Sequence, residues 1–578
     1  MPPSLAPRVL IANRGEIAVR VIRTCRELGI ATVAVYSEVD RDALHVEMAD
    51  DAYLLGPASP TESYLNVGRL LEAATRSGAT MIHPGYGFLA ENAGFAREVA
   101  RAGLTFIGPP PDAMAMLGDK AAARQAATRA GAPIVPGTLD PVRPEDAKAE
   151  AEQIGFPLVV KAAFGGGGKG MRLVERPEDL ADAVERSARE ALSYFGRPEI
   201  YLERYLAHAR HVEAQILADA HGHISFLGER DCSMQRRYQK LIEESPSPGV
   251  DEALRARIGE AAMGIAREAR YVNAGTVEFL VEPDGSFYFM EVNARLQVEH
   301  PVTEMVTGLD LVRYQILAAM GEAVELEPSF RGHAIECRLN AEDPAKEFLP
   351  GPGLVTKFRR PGGSFVRVDT GIAEGRPVVG NYDSLFAKLI VWAEDRELAR
   401  RRTVQALGEI EVEGIPTTIP FHLWALDTPE FREGRVHTKF VEEAIAAGAM
   451  TLTEPAGSAA AETDTARPVH IVVEVGGRRV PVRVWGEPFR QAPSVPLAAG
   501  QSGSASADGE VVTAPMQGTI LQVLVELGQE VTAGQTVCIL EAMKMENHIA
   551  AHRDGTVAEV SITKGDVVDT GQPMVAIR

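Results

Sequence analysis

The chain has 578 residues, 45% of them hydrophobic, and a formal net charge of −21. That length and apolar content require several domains, each with a core of its own, and no run of about 18 apolar residues marks a membrane span. The acidic balance excludes general nucleic-acid binding, but not a nucleotide substrate met by local basic residues.

The chain opens on an apolar strand, Val9–Ala12, a turn at Asn13-Arg14-Gly15-Glu16, a helix to about Leu28 and a second strand, Thr32–Ser37. No h-region or cleavage site follows the first apolar stretch, so a signal peptide is not expected. This βαβ start is common to many α/β domains and is weak evidence for nucleotide binding. His83-Pro84-Gly85-Tyr86-Gly87 ends another strand; a crossover turn and a ligand loop fit it equally, and Tyr86 stays a candidate ligand contact. Strand-like and helix-like segments alternate up to about residue 450, an α/β pattern.

Phe164-Gly165-Gly166-Gly167-Gly168-Lys169-Gly170 lies between the apolar strands Pro157–Lys161 and Met171–Val174. Consecutive glycines carry an entropic penalty, and a plain linker does not sit between two strands. Bare backbone N–H groups suit phosphate oxygens, with Lys161 and Lys169 adding positive charge. The run therefore predicts a mobile flap over nucleotide phosphates. It is not a GxxxxGK[ST] loop, because no Ser or Thr follows the lysine and no helix opens there.

Cys232-Ser233-Met234-Gln235-Arg236-Arg237-Tyr238-Gln239-Lys240 is a cationic stretch in an acidic chain. It is either a solvated basic strand or a site for an anion such as bicarbonate or phosphate. Further on, Val277–Val281 and Phe287–Val292 flank Asp284-Gly285, a two-residue hairpin turn. Pairing across that turn sets Glu278 opposite Glu291, a repulsive arrangement unless a cation lies between them. Asn293 shares their face, and two carboxylates with an amide oxygen suit Mg²⁺. The same parity continues through Arg295, Gln297 and Glu299, while Val292, Ala294, Leu296 and Val298 alternate as apolar. A solvated strand face would look similar, but it would not explain the facing carboxylates. Cys25, Cys232, Cys337 and Cys538 show no metal-ligand spacing, and a reduced cytoplasmic protein is expected.

Residues 453–468 are rich in Ala, Pro, Thr and Glu, and residues 491–510 in Ser, Ala, Gly and Pro; both read as linkers. A flexible linker of about 20 residues spans roughly 25 Å on average and reaches further, which suits a travelling carrier. Between the two, His470–Trp485 alternates like a hairpin around Gly476-Gly477. The C-terminal region then repeats itself at a shift of about 37 residues. Ala514 overlays Ala551, Gly518-Thr519 overlays Gly555-Thr556, Val531 overlays Val568, and Gly534-Gln535 overlays Gly571-Gln572. Two such halves make a small pseudo-symmetric β-sandwich. Lys544, in Glu541-Ala542-Met543-Lys544-Met545-Glu546, falls in the hairpin linking them. A lysine displayed there is placed to carry a swinging cofactor such as biotin or lipoamide.

This last region resembles the biotin carboxyl carrier domain, whose modified lysine lies in Ala-Met-Lys-Met; lipoyl domains usually carry Asp-Lys-Ala at the turn. Residues from about 8 to 445 resemble the ATP-grasp biotin carboxylases, with many separate motifs in the expected order. The resemblance implies that Lys120, in Met116-Leu117-Gly118-Asp119-Lys120, and Lys161 bind ATP phosphates beneath the flap Gly165-Gly166-Gly167-Gly168. It implies an adenine hinge from Glu203 to Leu206, His211 near the ribose and Gln235 beside the nucleotide. By the same resemblance Glu278, Glu291 and Asn293 would hold Mg²⁺ or Mn²⁺, and Lys240, Arg295, Gln297 and Val298 would hold bicarbonate. Glu299 would be the general base, and Arg338 would stabilise the biotin enolate. Many relatives carry His where this chain has Tyr238, so an imidazole role does not transfer there.

The whole chain resembles the α subunit of a bacterial two-subunit acyl-CoA carboxylase. The implied fold is an α/β ATP-grasp biotin carboxylase with a Rossmann-like N-terminal subdomain, followed by an all-β flattened sandwich of the biotinyl/lipoyl type. The implied organisation is an N-terminal subdomain over 1–115, an ATP-grasp domain over 116–330 with its lid at about 132–204, and a C-terminal subdomain over 331–450. A linker over 451–468, a short β segment over 469–490 suited to partner docking, a flexible linker over 491–510 and the carrier over 511–578 complete it. The expected activity is ATP- and bicarbonate-dependent carboxylation of biotin on Lys544 through carboxyphosphate. After the carboxylase-like block only about 130 residues remain, too few for a carboxyltransferase beside the carrier. The resemblance therefore implies a separate carboxyltransferase β subunit, a biotin protein ligase that modifies Lys544, and a homo-oligomer within an αβ complex, with no nucleic acid and no membrane. A pyruvate-type carboxylase subunit, a nonenzymatic carrier and a lone ATP-grasp ligase are the rivals. Intact Glu278, Glu291, Arg295, Glu299 and Arg338 argue against the second, and Lys544 against the third.

Overall fold

A computed structural model describes residues 6–138, 140–162, 172–195, 198–452, 469–475, 478–484, 511–514, 518–542, 545–568 and 571–578. The chain divides into two compact units, Met1–Thr453 and Glu454–Arg578. Among the described residues no helix is long and apolar enough to cross a membrane.

The first unit begins with a parallel sheet of five strands in the order Asp51–Gly56, Ala31–Ser37, Arg8–Ile11, Met81–His83, Thr105–Phe106. Its strands are apolar on both sides because both faces are covered. Val9 and Ile11 pack with Ile17 and Val21 of the helix Gly15–Glu27, while Leu10 packs with Leu70 and Phe95 on the opposite face. The strand order reverses between Arg8–Ile11 and Met81–His83, the crevice where such sheets place ligands. Asn13 closes that crevice by donating from Nδ2 to the carbonyls of Pro84 and Tyr86, both at 2.7 Å. Gly85 has φ +62°, and a Cβ there would lie 2.9 Å from Asn13 Nδ2, so the approach requires glycine.

A second, small sheet joins Arg172–Val174, Leu158–Ala162 and Ile200–Arg204. Its core is Leu158, Val160, Leu180, Val184, Ile200 and Leu202, contributed by these strands and the helix Leu180–Phe195. Leu158 pairs antiparallel with Val174. Gly165–Gly168 belong to the segment connecting these strands and lie outside the described residues.

The third sheet has eight antiparallel strands and crosses the sequence boundary expected near residue 330. Its order is Phe287–Asn293, Asn273–Val281, Arg210–Ala218, Ile224–Arg236, Gln239–Ser245, His333–Asn340, Leu385–Ala393, Val366–Thr370. The period-two alternation of a strand sorts its side chains. Ile335, Cys337 and Leu339 enter an apolar core with Leu389, Val391 and Leu407, leaving Glu336 and Arg338 at the opposite parity. Near the other edge the helix Glu252–Glu268, capped by Asp251 Oδ1 accepting from the Leu254 amide at 2.8 Å, buries Leu254, Ile258 and Ile265 against Val212 and Phe279. Each such side chain contributes roughly 1.5–3 kcal/mol. The backbone beneath the polar face is thereby held rigid.

In the second unit two sheets run Val511–Thr513, Pro573–Ile577, Gly555–Val560, Glu530–Val531 and Met545–Ala550, Thr536–Ala542, Gly518–Val523, Val567–Val568. The sequence repeat carries each strand of one sheet onto the strand at the same place in the other. The pairing of Thr536–Ala542 with Met545–Ala550 runs to Ala542 opposite Met545. Lys544, with Met543, lies outside the described residues.

The segment expected as a hairpin forms strands Val469–Val475 and Arg478–Val484, paired antiparallel along their whole length. Gly476-Gly477, Trp485 and the two linkers lie outside the described residues.

Candidate active site

The polar face of the eight-stranded sheet gathers a set of buried charges. Lys240, near the start of its strand, donates from Nζ to Glu278 Oε1 at 3.0 Å and Glu299 Oε1 at 2.8 Å, and it also contacts Glu213. Glu299 accepts a second bond on Oε2 from Arg338 at 2.9 Å, and Arg338 Nε is turned to Glu243. Behind them Arg230, fully buried, donates to Gln215 at 2.7 Å, Glu213 at 3.1 Å and Gln297 at 2.8 Å. Charges this deep persist because each is paired.

The hairpin forms as the sequence predicts: Glu278 faces Glu291, and Thr276 faces Asn293. Asn293 Nδ2 donates to Glu278 Oε1 at 2.7 Å, and Gln297 Nε2 to the same oxygen at 2.8 Å. The strand ends at Asn293, however, and Arg295 to Glu299 reach the site through an irregular segment capped by the helix His300–Thr307. The Ala294 amide, the next in line, donates to Glu91 Oε1 at 3.0 Å and not to the neighbouring strand, so the ladder ends there. Arg295 donates to Asn293 Oδ1 at 3.0 Å and to Glu91 at 3.1 Å.

The electrostatics divide the carboxylates into two kinds. Burial by itself raises the Glu278 carboxyl, but Lys240 and His211 outweigh it and hold the group well below its ordinary range. The same balance, with Lys240 and then Arg338 as the opposing cations, keeps Glu299 ionised. Glu291 goes the other way: burial and then the Glu278 charge raise it, and Lys120 relieves it only in part. Its side chain is nonetheless exposed to solvent, unlike that of Glu278. Burial and the charge of Glu299 lift Glu243 to about 7 against the pull of Arg338.

His211 lies within 3.1 Å of Glu213 and of Glu278. Burial opposes its charge, yet the Glu278 carboxylate draws it up to about 9. The imidazole assigned to a ribose contact by resemblance therefore sits among the carboxylates. Gln235 is buried beside them, with its backbone opposite Lys240. Lys120 opens the helix Lys120–Arg129 behind the Asp119 cap. Lys161 Nζ is turned to Glu203, which also accepts from Arg124 at 2.7 Å, and Leu206 packs with Val135 and Ala209. Tyr86 is half-buried, with the Lys388 ammonium 6.0 Å from its ring. Tyr238 is exposed at φ +66°, with Lys439 Nζ 4.9 Å from its ring centre.

Sequence reasoning missed Glu213, Arg230, Glu243, Glu91 and Lys388. Lys388 left a signal, as a lysine in the apolar run Leu385–Ala393; it is fully buried, donates to the Val298 carbonyl at 2.6 Å and lies 3.3 Å from Glu16.

The facing carboxylates Glu278 and Glu291, with the Asn293 amide oxygen that here accepts from Arg295, offer oxygen donors. That donor set fits Mg²⁺ or Mn²⁺. A parallel switch-point sheet, a three-stranded lid sheet and a carboxylate-bearing antiparallel sheet make up an ATP-grasp architecture. Residues 6–114 match the family described as biotin carboxylase, N-terminal domain, and residues 336–443 its C-terminal domain. Residues 119–327 match the carbamoyl-phosphate synthase L chain ATP binding domain, and residues 510–577 match the family described as biotin-requiring enzyme. The chain is 47% identical to the biotin-dependent acyl-coenzyme A carboxylase alpha3 subunit of Mycobacterium leprae, covering 99% of this chain and 98% of the relative. A solved biotin carboxylase–β-γ-ATP complex from Campylobacter jejuni is 45% identical with a TM-score of 0.73, covering 75% of this chain and 98% of that one. The biotin carboxylase domain dimer of Hydrogenobacter thermophilus 2-oxoglutarate carboxylase, solved with MgADP, ADP and bicarbonate, is 45% identical with a TM-score of 0.73, covering 77% and 99%. The chain belongs to the family of biotin-dependent acyl-CoA carboxylase α subunits.

Proposed function

We propose that this chain carboxylates biotin carried on its own Lys544 at the expense of ATP and bicarbonate, and that a separate carboxyltransferase β subunit passes the carboxyl group to an acyl-CoA. The observation that carries this reading is Glu299, an ionised carboxylate held between Lys240 and Arg338 beside the facing pair Glu278 and Glu291. A divalent cation held by Glu278, Glu291 and Asn293 supplies neutralisation of phosphate charge. Lys120 and Lys161 add positive charge for the same phosphates, and Gly165–Gly168, outside the described residues, are the flap that the resemblance implies; Glu203 to Leu206, His211, Gln235 and Tyr86 complete the nucleotide and ligand contacts.

The acid–base step rests on competition for cations. With Lys240 and Arg338 on its oxygens, Glu299 is too weak a base for bicarbonate. An anion arriving between Lys240, Arg295, Gln297 and the Val298 backbone takes a share of those cations. The proton affinity of Glu299 then rises as the substrate seats, and Glu299 accepts the bicarbonate proton. The oxyanion attacks the γ-phosphorus of ATP, releasing ADP and giving carboxyphosphate, with Arg295 and the lysines stabilising the transferring group. Arg338, pinned by Glu243 and Glu299, presents a fixed cation to negative charge developing on the acceptor. Biotin, once attached to Lys544, supplies the carboxyl-carrying nitrogen.

The domain boundaries drawn from the sequence, a homo-oligomer inside an αβ complex, modification by a biotin protein ligase and a cytoplasmic location belong to the same reading. Lys544→Arg keeps the charge but removes the amine that a biotin ligase uses. Streptavidin blotting of the full chain is expected to go blank while carboxylation of free biotin persists. A retained signal places the cofactor on another residue and overturns the assignment.

A further inference from the structure

Away from the carboxylate cluster, His208, His437 and Glu443 each bring a donor atom to within 4.8 Å of the other two. They come from two parts of the unit distant in sequence. His208 lies in the loop between the strands Ile200–Arg204 and Arg210–Ala218, His437 just before the helix Phe440–Ala446, and Glu443 within that helix. The imidazoles meet edge to face with ring centres 4.7 Å apart, and His437 Nε2 lies 3.6 Å from Glu443 Oε2. We propose that these three side chains form a site for a divalent transition metal of the zinc type, cross-linking the loop that leaves the lid sheet to the C-terminal helix.

Two imidazoles and one carboxylate are a donor set for Zn²⁺, Ni²⁺ or Cu²⁺, whereas Mg²⁺ and Ca²⁺ take oxygen. In a tetrahedral zinc site neighbouring ligand atoms stand roughly 3.4 Å apart, so the histidine–carboxylate pair needs little adjustment. Metal binding requires neutral imidazoles. Burial draws the His437 pKa down, Glu443 and Glu442 pull it up, and His208 and Arg210 lower it further; the net direction is down. The Arg210 guanidinium is committed to Asp231 at 3.0 Å and to the Gly434 carbonyl, which limits its opposition to a cation here. The Lys439 amide donates to His437 Nδ1 over a long 3.4 Å, which sets the proton of the neutral ring on Nε2. Coordination through Nε2 moves that proton to Nδ1 and gives up this weak bond. His208 and Glu443 are exposed, leaving room for water at a fourth position. The Thr438 amide already donates to the Ala209 carbonyl at 3.0 Å, so the two segments meet without the metal and the site needs no rearrangement of the backbone. An edge-to-face imidazole pair with a surface carboxylate is the alternative, and it differs in having no affinity for metal.

The test uses the full chain, stripped with chelator and held in excess Mg²⁺ so that the oxygen-donor site is filled, and titrated with Zn²⁺ by calorimetry and by thermal unfolding. His208→Asn, His437→Asn and Glu443→Gln are compared with the unaltered chain, and ATP cleavage without zinc confirms that each variant is folded. One zinc per chain is expected, bound at least tenfold more weakly in either histidine variant, about 1.4 kcal/mol. A zinc-dependent rise in melting temperature is expected in the unaltered chain and lost in the variants. Zinc that binds all four proteins alike sits elsewhere and overturns the site, as does an unaltered chain that binds none.

Discussion

At the scale of single residues, the site works by leaving one carboxylate undercompensated and over-determining another. Glu291 is raised by burial and by Glu278. Glu291→Gln removes one anionic donor and the cross-strand repulsion together. Bicarbonate-dependent ATP cleavage is expected to fall by about two orders of magnitude, while the metal-free protein gains up to about 1 kcal/mol at neutral pH. Unchanged kinetics at saturating Mg-ATP would remove the metal assignment. Lys388 acts differently, through the backbone. Its ammonium binds the carbonyl of Val298, the residue before Glu299, and answers the buried Glu16; it also stands opposite Arg338 and Asp369 in the paired strands. We expect Lys388→Met to cost about 3–5 kcal/mol of stability by stranding those carboxylates. It should also raise the KM for bicarbonate more than it lowers kcat, with partial recovery in Lys388→Arg. A variant that loses stability but keeps the bicarbonate KM would make Lys388 a structural residue and not a positioning one.

At the scale of elements, what could be read from the sequence follows from how local the information is. The facing of Glu278 and Glu291 needs only a turn and a two-residue period, and it holds in the structure. The parity of Arg295, Gln297 and Glu299 points to residues that do gather near the site, but not by the expected route, because the ladder stops at Asn293. Arg230, Glu213 and Glu243 gave no local sign. Their partners lie on strands distant in sequence, and only the register of the eight-stranded sheet brings them together. The same register builds an ion cluster away from the chemistry. Glu244 accepts from Arg396 at 2.6 and 3.0 Å and contacts His333 Nε2 at 2.7 Å, joining two strands to the helix Arg396–Glu409. Burial would raise the Glu244 carboxyl, but Arg396 and then His333 bring it down to about 2 from the ordinary 4.5. A folded-state pKa below the unfolded one stabilises above the unfolded value and is lost as pH falls through the folded one. The contribution is therefore full above pH 4.5 and disappears toward pH 2, with a size of about 3 kcal/mol. Glu244→Gln should be less stable by about that amount at pH 7, and the gap should close on acidification. Denaturant titrations of both proteins across that range check it, and a gap independent of pH would mean that packing dominates the cluster.

At the scale of the whole molecule, the strands Val469–Val475 and Arg478–Val484 stand outside both patterns. They form a sheet of their own, and among the described residues no third strand joins it. Two strands alone are marginal in water, and among the described residues nothing pairs with the N–H and C=O groups of their outer edges. The register adds a second argument. Val469, Ile471 and Val473 pair with Val484, Val482 and Val480, a parity that is apolar up to the closing pair Val475 and Arg478, while the other sets His470 opposite Arg483 and Glu474 opposite Arg479 around the pair Val472 and Pro481. A segment patterned this way needs cover. Either the chain's own carboxylase half or the separate carboxyltransferase subunit could supply it; the subunit is the better occupant, because the second half-reaction needs one and the segment belongs to neither half of the first. Deleting residues 469–486 is expected to leave ATP-dependent carboxylation of biotin on Lys544 near its normal rate. Coelution with the β subunit and carboxylation of acyl-CoA should collapse together. If the deletion cripples the first half-reaction and spares the complex, the segment braces the carboxylase from within and the docking assignment fails.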